Sequence, residues 1–134
     1  MRFAVAAVSA FVVLACWTGP EASAETVVLP ERPADGRFVF TDNPSIVDQH
    51  PMQAESWSRV GNDHALAVHF STGTPECFGV HATVTETAES VNVELRGGTL
   101  PGAVGRACIM LAVFGTLEVP LQSPVGDREV LSVY

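Results

Sequence analysis

Cys77 and His81 are the first residues whose types and spacing suggest chemistry. They form a Cys-x-x-x-His pattern within "PECFGVHATV", residues 75–84. A cysteine in such a setting serves as a zinc ligand, as a nucleophile beside a histidine, or as half of a disulfide. Cys108 lies far downstream and has no neighbouring ligand-type residue, whereas structural zinc sites usually take their ligands in close pairs. The choice between these three roles depends on the compartment of the protein.

The N-terminal sequence has the order of a secretory signal. Arg2 supplies a positive charge, residues 3–16 form an apolar run in which Ser9 is the one polar residue, and Gly19-Pro20 interrupts any helix. Ala22-Ser23-Ala24 then supplies small residues at the spacing that a signal peptidase recognises. The apolar run is shorter than the roughly 20 residues of a membrane-spanning helix. We therefore predict a signal peptide over residues 1–24, with cleavage after Ala24, and a secreted or extracytoplasmic protein without a transmembrane span.

Cys16 offers an alternative processing site. "VVLAC", residues 12–16, is similar to a bacterial lipobox, although Val13 stands where such motifs usually have leucine. Cleavage before Cys16 and lipidation of its thiol would anchor the protein at the membrane. The small residues that end at Ala24 are the stronger cleavage signal.

Export favours the disulfide role for Cys77. After removal or lipidation of Cys16, the cysteines left are Cys77 and Cys108, and in an oxidising compartment such a pair is expected to form a disulfide. The chain-entropy relation assigns a loop of this length about 3–4 kcal/mol of stabilisation. A zinc site that includes His69 and His81, and a reactive thiol at Cys77, are the weaker alternatives.

His69, His81 and Glu94 are the candidate catalytic or metal-binding set. Both histidines fall on the polar faces of predicted strands, and two histidines with a carboxylate would make a minimal metal or general-base cluster. The sequence contains no G-x-S-x-G, no H-E-x-x-H and no phosphate-binding loop. Histidine is also an ordinary occupant of a polar strand face. We therefore predict a protein that is not an enzyme and has no cofactor, with a small metal-dependent or hydrolytic enzyme as the alternative.

The charge of the chain limits its partners. The formal net charge is −8, lysine is absent, and loss of residues 1–24 removes one acid and one base. Such a surface repels nucleic acid and anionic lipid. Residues 25–134 are enough for one domain and too few for two.

Hydrophobic alternation predicts an all-β fold. Apolar and polar residues alternate over residues 64–70, 78–85 and 91–96, as expected of half-buried antiparallel strands. Residues 25–62 contain Pro44 and Pro51, and we expect an irregular segment with short strands packed on the core. Residues 63–134 are predicted to form the core of a small antiparallel β-sandwich with an Ig-like layout and one disulfide.

Two details of this sandwich can be predicted from matching apolar faces. Val84 is expected opposite Val91 and Val80 opposite Leu95, which places His81 opposite Glu94 as a cross-strand pair on the polar face. The run "CIMLAVFG" that begins at Cys108 is apolar on both faces and predicts a central strand covered on both sides.

Five stretches carry a resemblance to a family. They are "SW" at 56–57, "ALAVHFSTG…CFGV" at 65–80, "VTETAESVNVELRGG" at 84–98, "AC" at 107–108 and "PVGDREV" at 124–130. Together they resemble small secreted or lipid-anchored proteins of actinobacteria, including mycobacteria. The resemblance covers most of the chain after the signal. It implies export and a disulfide, and it carries no catalytic residue.

These observations favour an exported, non-enzymatic module that binds another protein or a component of the cell envelope. An uncovered aromatic or apolar patch around Trp57 or Leu100 would be the expected contact surface.

Overall fold

Residues 19–20 and 23–134 are described by a computed structural model of the chain. Most of the predicted signal peptide, including Cys16, lies outside these residues, so signal cleavage and lipidation stay predictions. The described part of the chain contains one short helical turn, Pro101–Ala103, and no helix with the length and apolarity needed to cross a bilayer.

Nine β-strands make up the regular structure of this part of the chain, as the alternating pattern predicts. They are β1 (Thr26–Val28), β2 (Phe38–Phe40), β3 (Val47–Met52), β4 (Ser56–Arg59), β5 (Ala65–Thr72), β6 (Phe78–Glu86), β7 (Ser90–Thr99), β8 (Val113–Pro120) and β9 (Glu129–Val133).

The strands form two sheets. In sheet A, β6 pairs with β7 along its length, and the other edge of β7 is shared by β9 and β3, with β1 beyond β9. Sheet B has the order β2-β8-β5-β4. The pairs β2–β8 and β7–β9 are parallel, and the remaining pairs are antiparallel. The predicted small β-sandwich with one disulfide is confirmed.

The core lies between the two sheets and is filled by alternate residues of the central strands. Sheet B contributes Leu66, Val68 and Phe70 from β5, and sheet A contributes Val91, Val93 and Leu95 from β7. Burial of this apolar surface contributes about 25 cal/mol for each Å² removed from water. The faces that the alternation assigned to the core in β5 and β7 are therefore the faces that are buried.

Residues 25–62 contain more strand than expected. Each of β1 to β4 pairs with a strand from residues 63–134, so this segment is woven into both sheets. Beyond β1 the chain also follows the outer edge of β4, where Trp57 N donates to Pro30 O (3.0 Å) and Arg32 N donates to Trp57 O (2.8 Å). These pairings are non-local, and the strands are short, so periodicity within the segment gives little sign of them.

The predicted register of the β6–β7 hairpin is wrong by two residues. Val84 lies opposite Val93, and His81 lies opposite Arg96 instead of Glu94. A shift of two residues keeps every side chain on its face, so the apolar pattern cannot distinguish the two registers. The turn fixes the register: Thr87 N donates to Ser90 O (2.9 Å), and the Thr87 hydroxyl accepts from Ser90 N (3.0 Å). These bonds place the turn at residues 88–89, one residue later than the predicted register requires.

The predicted central strand at Cys108 is also wrong in part. The strand β8 begins at Val113, Cys108 is half-buried in irregular chain, and residues 109–111 are exposed. Only the last three residues of the run, Val113 to Gly115, therefore belong to the sheet.

Candidate binding surface and buried histidine

The predicted set of His69, His81 and Glu94 does not form one site. His69 lies on β5 of sheet B, whereas His81 and Glu94 lie on β6 and β7 of sheet A. The prediction that His69 and His81 could form one cluster is wrong, because the chain crosses from sheet B to sheet A between β5 and β6. In the part of the chain that the structure describes, no three His, Cys, Asp or Glu residues are grouped so that they could hold a metal ion.

His81 and Glu94 do not contact each other, and each has another side-chain partner. His81 Nδ1 lies 2.9 Å from Asp42 Oδ1, and Arg96 Nη2 donates to Glu94 Oε1 at 2.7 Å. Asp42 Oδ1 also accepts from Ala82 N (2.9 Å), so Asp42 fastens the chain after β2 to the edge of β6. The Asp42 contacts therefore link two chain segments, whereas the Glu94–Arg96 pair lies within β7.

His69 is fully buried on the outer face of sheet B. Its ring lies between two hydroxyl groups, with Nδ1 2.9 Å from Thr116 Oγ1 and Nε2 3.1 Å from Ser58 Oγ. The chain passes from the outer edge of β4 at Arg32 to β2 on the opposite edge, so residues 33–37 cross this face and cover the ring. The predicted exposed position of His69 is therefore wrong, because a segment distant in sequence covers it.

The environment of His69 favours the neutral imidazole. Burial lowers the pKa of His69 below its ordinary value of 6.5, and the Arg37 guanidinium lowers it further. The carboxylate of Glu55 acts in the opposite direction but with less effect. A neutral ring that both hydroxyls satisfy is a stable polar element within the sheet.

The Cys77–Cys108 disulfide is confirmed, and the zinc and free-thiol roles of Cys77 are thereby excluded. Cys77 ends the turn between β5 and β6, and Cys108 lies in the connection between β7 and β8. Both connections pass from one sheet to the other. The bond, with its Cα atoms 6.3 Å apart, therefore fastens the two crossovers to each other beside β2.

A concentration of exposed apolar side chains lies beside this disulfide. We call it the apolar edge, and Met110 within it is 100% exposed. It consists of Phe38, Val39, Ile109, Met110, Leu111 and Phe114. Three further large apolar side chains are exposed among the described residues, and they are scattered over the chain at Val28, Val47 and Val104.

Two grooves meet at the apolar edge. One, of about 350 Å³, runs along residues 38–43 and has Phe78 and Leu100 in its opposite wall. The other, of about 370 Å³, lies between Phe78 and residues 109–112. Because Phe78 lines both grooves, the exposed β2 and the exposed 109–111 segment belong to one surface.

The two surface residues suggested by the sequence have different outcomes. Trp57 is buried in the core at 5% exposure, so a patch around it is wrong. Leu100 lines the groove beside β2, as a contact role would require. The apolar character of Phe38, Val39 and residues 109–111 was visible in the sequence, but that character alone predicts burial.

A second polar cluster joins the β6–β7 turn to the chain before β9. The Glu86 carboxylate accepts from Gln122 N (2.8 Å) and from Arg128 Nη2 (3.1 Å). These contacts, led by the Gln122 hydrogen bond, lower the pKa of Glu86. Arg128 Nη2 also donates to the carbonyls of Ser123 (2.9 Å) and Pro124 (2.7 Å), so it organises the turn that precedes β9.

Arg128→Ala is expected to lower the free energy of unfolding by about 1–2 kcal/mol, because it removes a charged donor shared by several acceptors. Urea denaturation at neutral pH measures the change. Arg106→Ala, at an exposed arginine of the β7–β8 connection, is the control and is expected to change stability little. Equal effects of the two substitutions would contradict the structural role given to Arg128.

No protein-family model, no curated protein and no solved structure matches the chain. The resemblance to small exported actinobacterial proteins therefore stays a prediction.

Proposed function

We propose that this protein is an exported binding module whose apolar edge holds an apolar, basic-flanked segment of another polypeptide. The observation that carries the proposal is the exposure of Phe38, Val39, Phe114 and residues 109–111 on one surface. Monomeric proteins seldom expose apolar patches larger than a few hundred Å², and larger patches usually mark contact sites.

The position of these residues supports a contact role. Residues 109–111 follow Cys108 directly, and the disulfide ties them to the turn before β6. Phe114 is likewise fixed by its place in β8, where the Arg37 guanidinium lies 6.0 Å from the centre of its ring. A contact surface held in place before binding loses less conformational entropy when the partner arrives.

Charge distinguishes between classes of partner. The net charge of −8 disfavours nucleic acid and anionic lipid, and it also disfavours association with a second copy of the chain. The groove beside β2 has Asp42 among its lining residues and neither arginine nor lysine. A polypeptide segment with apolar residues and flanking basic residues satisfies both the surface and the charge.

Export is part of the proposal. The disulfide between Cys77 and Cys108 is the kind of bond that forms and persists outside the cytoplasm. The signal-like order of residues 1–24 supports the same location, and it makes a protein of the cell envelope or its surroundings the natural partner. Lipidation of Cys16 would keep the module at the membrane without changing its contact surface.

The experiment uses an immobilised panel of 12-residue peptides that vary apolar, acidic and basic content. Peptides with an apolar centre and basic ends are expected to bind residues 25–134 of the protein. Met110→Asp is expected to weaken that binding about tenfold or more, because it replaces apolar surface that the peptide would cover with a charge that must then be desolvated.

Val28→Asp is the matched control, because Val28 is also an exposed apolar residue but lies on β1 of sheet A. It is expected to leave peptide binding unchanged. Absence of binding above background across the panel, or equal binding by the Met110→Asp variant, would overturn the proposed function.

A further inference from the structure

We propose that the partner segment binds by strand addition: it extends sheet B as a fifth strand along the open edge of β2. This inference rests on the proposed function and specifies how the apolar edge engages its polypeptide. The partner is accordingly an extended segment with apolar side chains at alternate positions and basic residues at its ends.

The first support is that β2 is the terminal strand of sheet B. β8 is its neighbour on one side, with Phe38 opposite Gly115 and Phe40 opposite Leu117. Among the described residues, no backbone hydrogen bond joins residues 38–40 to any other strand. An exposed strand edge of this kind is a template for pairing with another chain.

The second support is the direction of the backbone groups. Asn43 N donates to Val80 O (2.9 Å), away from β8. Because the backbone groups of an extended chain point to alternate sides, the amide and carbonyl of Val39 also point away from β8. Val39 thus offers a donor and an acceptor to an added strand, while Phe38 and Phe40 keep their groups directed at β8.

The third support is the shape and chemistry of the groove beside that edge. The groove follows residues 38–43, and its far wall holds Phe78 and Leu100. Side chains of an added strand would alternate between this apolar groove and the outer face, where Val39 and Phe114 are exposed. Backbone pairing with pockets for alternate side chains is the general mode of strand addition.

Charge favours another polypeptide over a second copy of this chain. Asp42 lines the groove, and Glu76 is exposed in the turn that carries Pro75, another lining residue. Two copies placed edge to edge would bring these acids together on chains that each carry a net charge of −8. Basic residues at the ends of the partner segment would meet complementary charge.

The test substitutes proline at the outward-facing amide. Val39→Pro removes the donor directed at the partner but no bond to β8, and proline is tolerated at such edge positions. We expect it to weaken binding of the tightest peptide from the panel about tenfold or more. Val39→Ala, which keeps the amide, is expected to weaken binding less.

Val28→Pro is the matched control on the other sheet. Val28 is 56% exposed on the edge strand β1, and because Leu29 N donates to Val130 O (2.8 Å), the Val28 amide faces outward. This substitution is expected to leave peptide binding unchanged. Thermal unfolding of both proline variants shows whether each remains folded.

A second measurement leaves the protein untouched. The same peptide is synthesised with N-methyl groups on alternate amides, in one register and then in the other. One register is expected to bind about tenfold more weakly than the unmodified peptide, and the other to bind nearly as well. Protection of the Val39 amide from hydrogen exchange upon peptide binding is expected in parallel.

The outcomes separate this inference from the proposed function. Loss of binding with Met110→Asp but not with Val39→Pro, and equal binding by both N-methylated peptides, would overturn strand addition and leave the contact surface intact. Sedimentation equilibrium and flotation with phosphatidylcholine vesicles test the other occupants. A dimer that Val39→Pro dissociates, or vesicle binding that Met110→Asp abolishes, would overturn the proposed partner.

Discussion

Replacement of Cys77 and Cys108 by alanine is expected to lower the free energy of unfolding by about 3–4 kcal/mol, the amount that the chain-entropy relation gives for a loop of this size. The sequence separation of the two cysteines is 31 residues, and the loop includes β6, β7 and the β7–β8 connection. Such a loss is a large part of the roughly 5–15 kcal/mol that stabilises a typical domain.

Guanidinium denaturation of the oxidised protein, the reduced protein and the double alanine variant measures the effect. Reduction and double substitution are expected to agree closely, because both remove the same cross-link. A reductant should leave the alanine variant unchanged, which controls for effects of the reagent itself. A loss below about 1 kcal/mol would show that the unfolded chain is restricted by other means.

The disulfide also connects stability with the proposed contact surface. Residues 109–111 are exposed, outside any strand and adjacent to Cys108. Without the bond, residues 109–111 lose their covalent attachment to the turn that precedes Phe78. Peptide binding by the double alanine variant is therefore expected to fall even under conditions where most of the protein remains folded.

The parts of the fold that the sequence predicts are those set by local periodicity and by compartment. Alternation over β5, β6 and β7 identified the strands and the faces of Leu66, Val93 and Leu95 that reach the core. The predicted export and the count of cysteines together identified the disulfide partners. The strand predictions depend on residues that are near each other in sequence. The disulfide prediction depends on the fact that two cysteines allow only one pairing.

The parts of the fold that the sequence does not predict depend on contacts that apolar periodicity does not record. The burial of His69 results from residues 33–37, which are separated from it in sequence by three strands, β2 to β4. The register of β6 on β7 depends on hydroxyl hydrogen bonds in the Thr87–Ser90 loop and not on the apolar pattern. Neither effect leaves a periodic signal.

The proposed contact surface shows a second limit of prediction from the sequence. An apolar run such as residues 109–113 lowers its free energy either by burial in the core or by burial against a partner, and both outcomes require the same residue types. The structure excludes burial of residues 109–111 in the core, because β8 starts only at Val113 and Met110 is fully exposed. Sequence alone had favoured the central strand, which is the more frequent outcome.

The buried His69 is the basis of the second large effect. His69→Leu removes the hydrogen-bond partner of both Thr116 and Ser58 and fills the position with an apolar side chain of comparable size. Each hydroxyl left buried without a partner costs about 1–3 kcal/mol. We expect His69→Leu to lower the free energy of unfolding by about 2–4 kcal/mol at pH 7.5. The larger share of this loss is expected from Thr116, because it is the more buried of the two hydroxyl residues.

Removal of the orphaned hydroxyls is the matched test. The triple variant His69→Leu, Thr116→Val and Ser58→Ala replaces the whole network with apolar groups, and such a replacement can be nearly neutral. Recovery of at least half of the lost stability in the triple variant is expected. A triple variant less stable than His69→Leu would show that packing beneath residues 33–37, and not hydrogen bonding, determines the role of His69.

The same residue predicts a pH dependence of stability. Because the pKa of His69 is lower in the folded protein than its ordinary value of 6.5, the unfolded chain binds a proton first as the pH falls. The stabilisation by neutral His69 is therefore complete above about pH 6.5 and is lost below it, until the pH reaches the folded pKa. Over that window the wild-type stability should fall with a slope steeper than that of His69→Leu by up to about 1.4 kcal/mol per pH unit. The remaining histidines are common to both proteins, so the difference between the two urea titrations isolates His69. Parallel slopes would contradict the prediction. They would mean that the ring is already charged beneath residues 33–37, or that it is free to reach water when it takes up its proton.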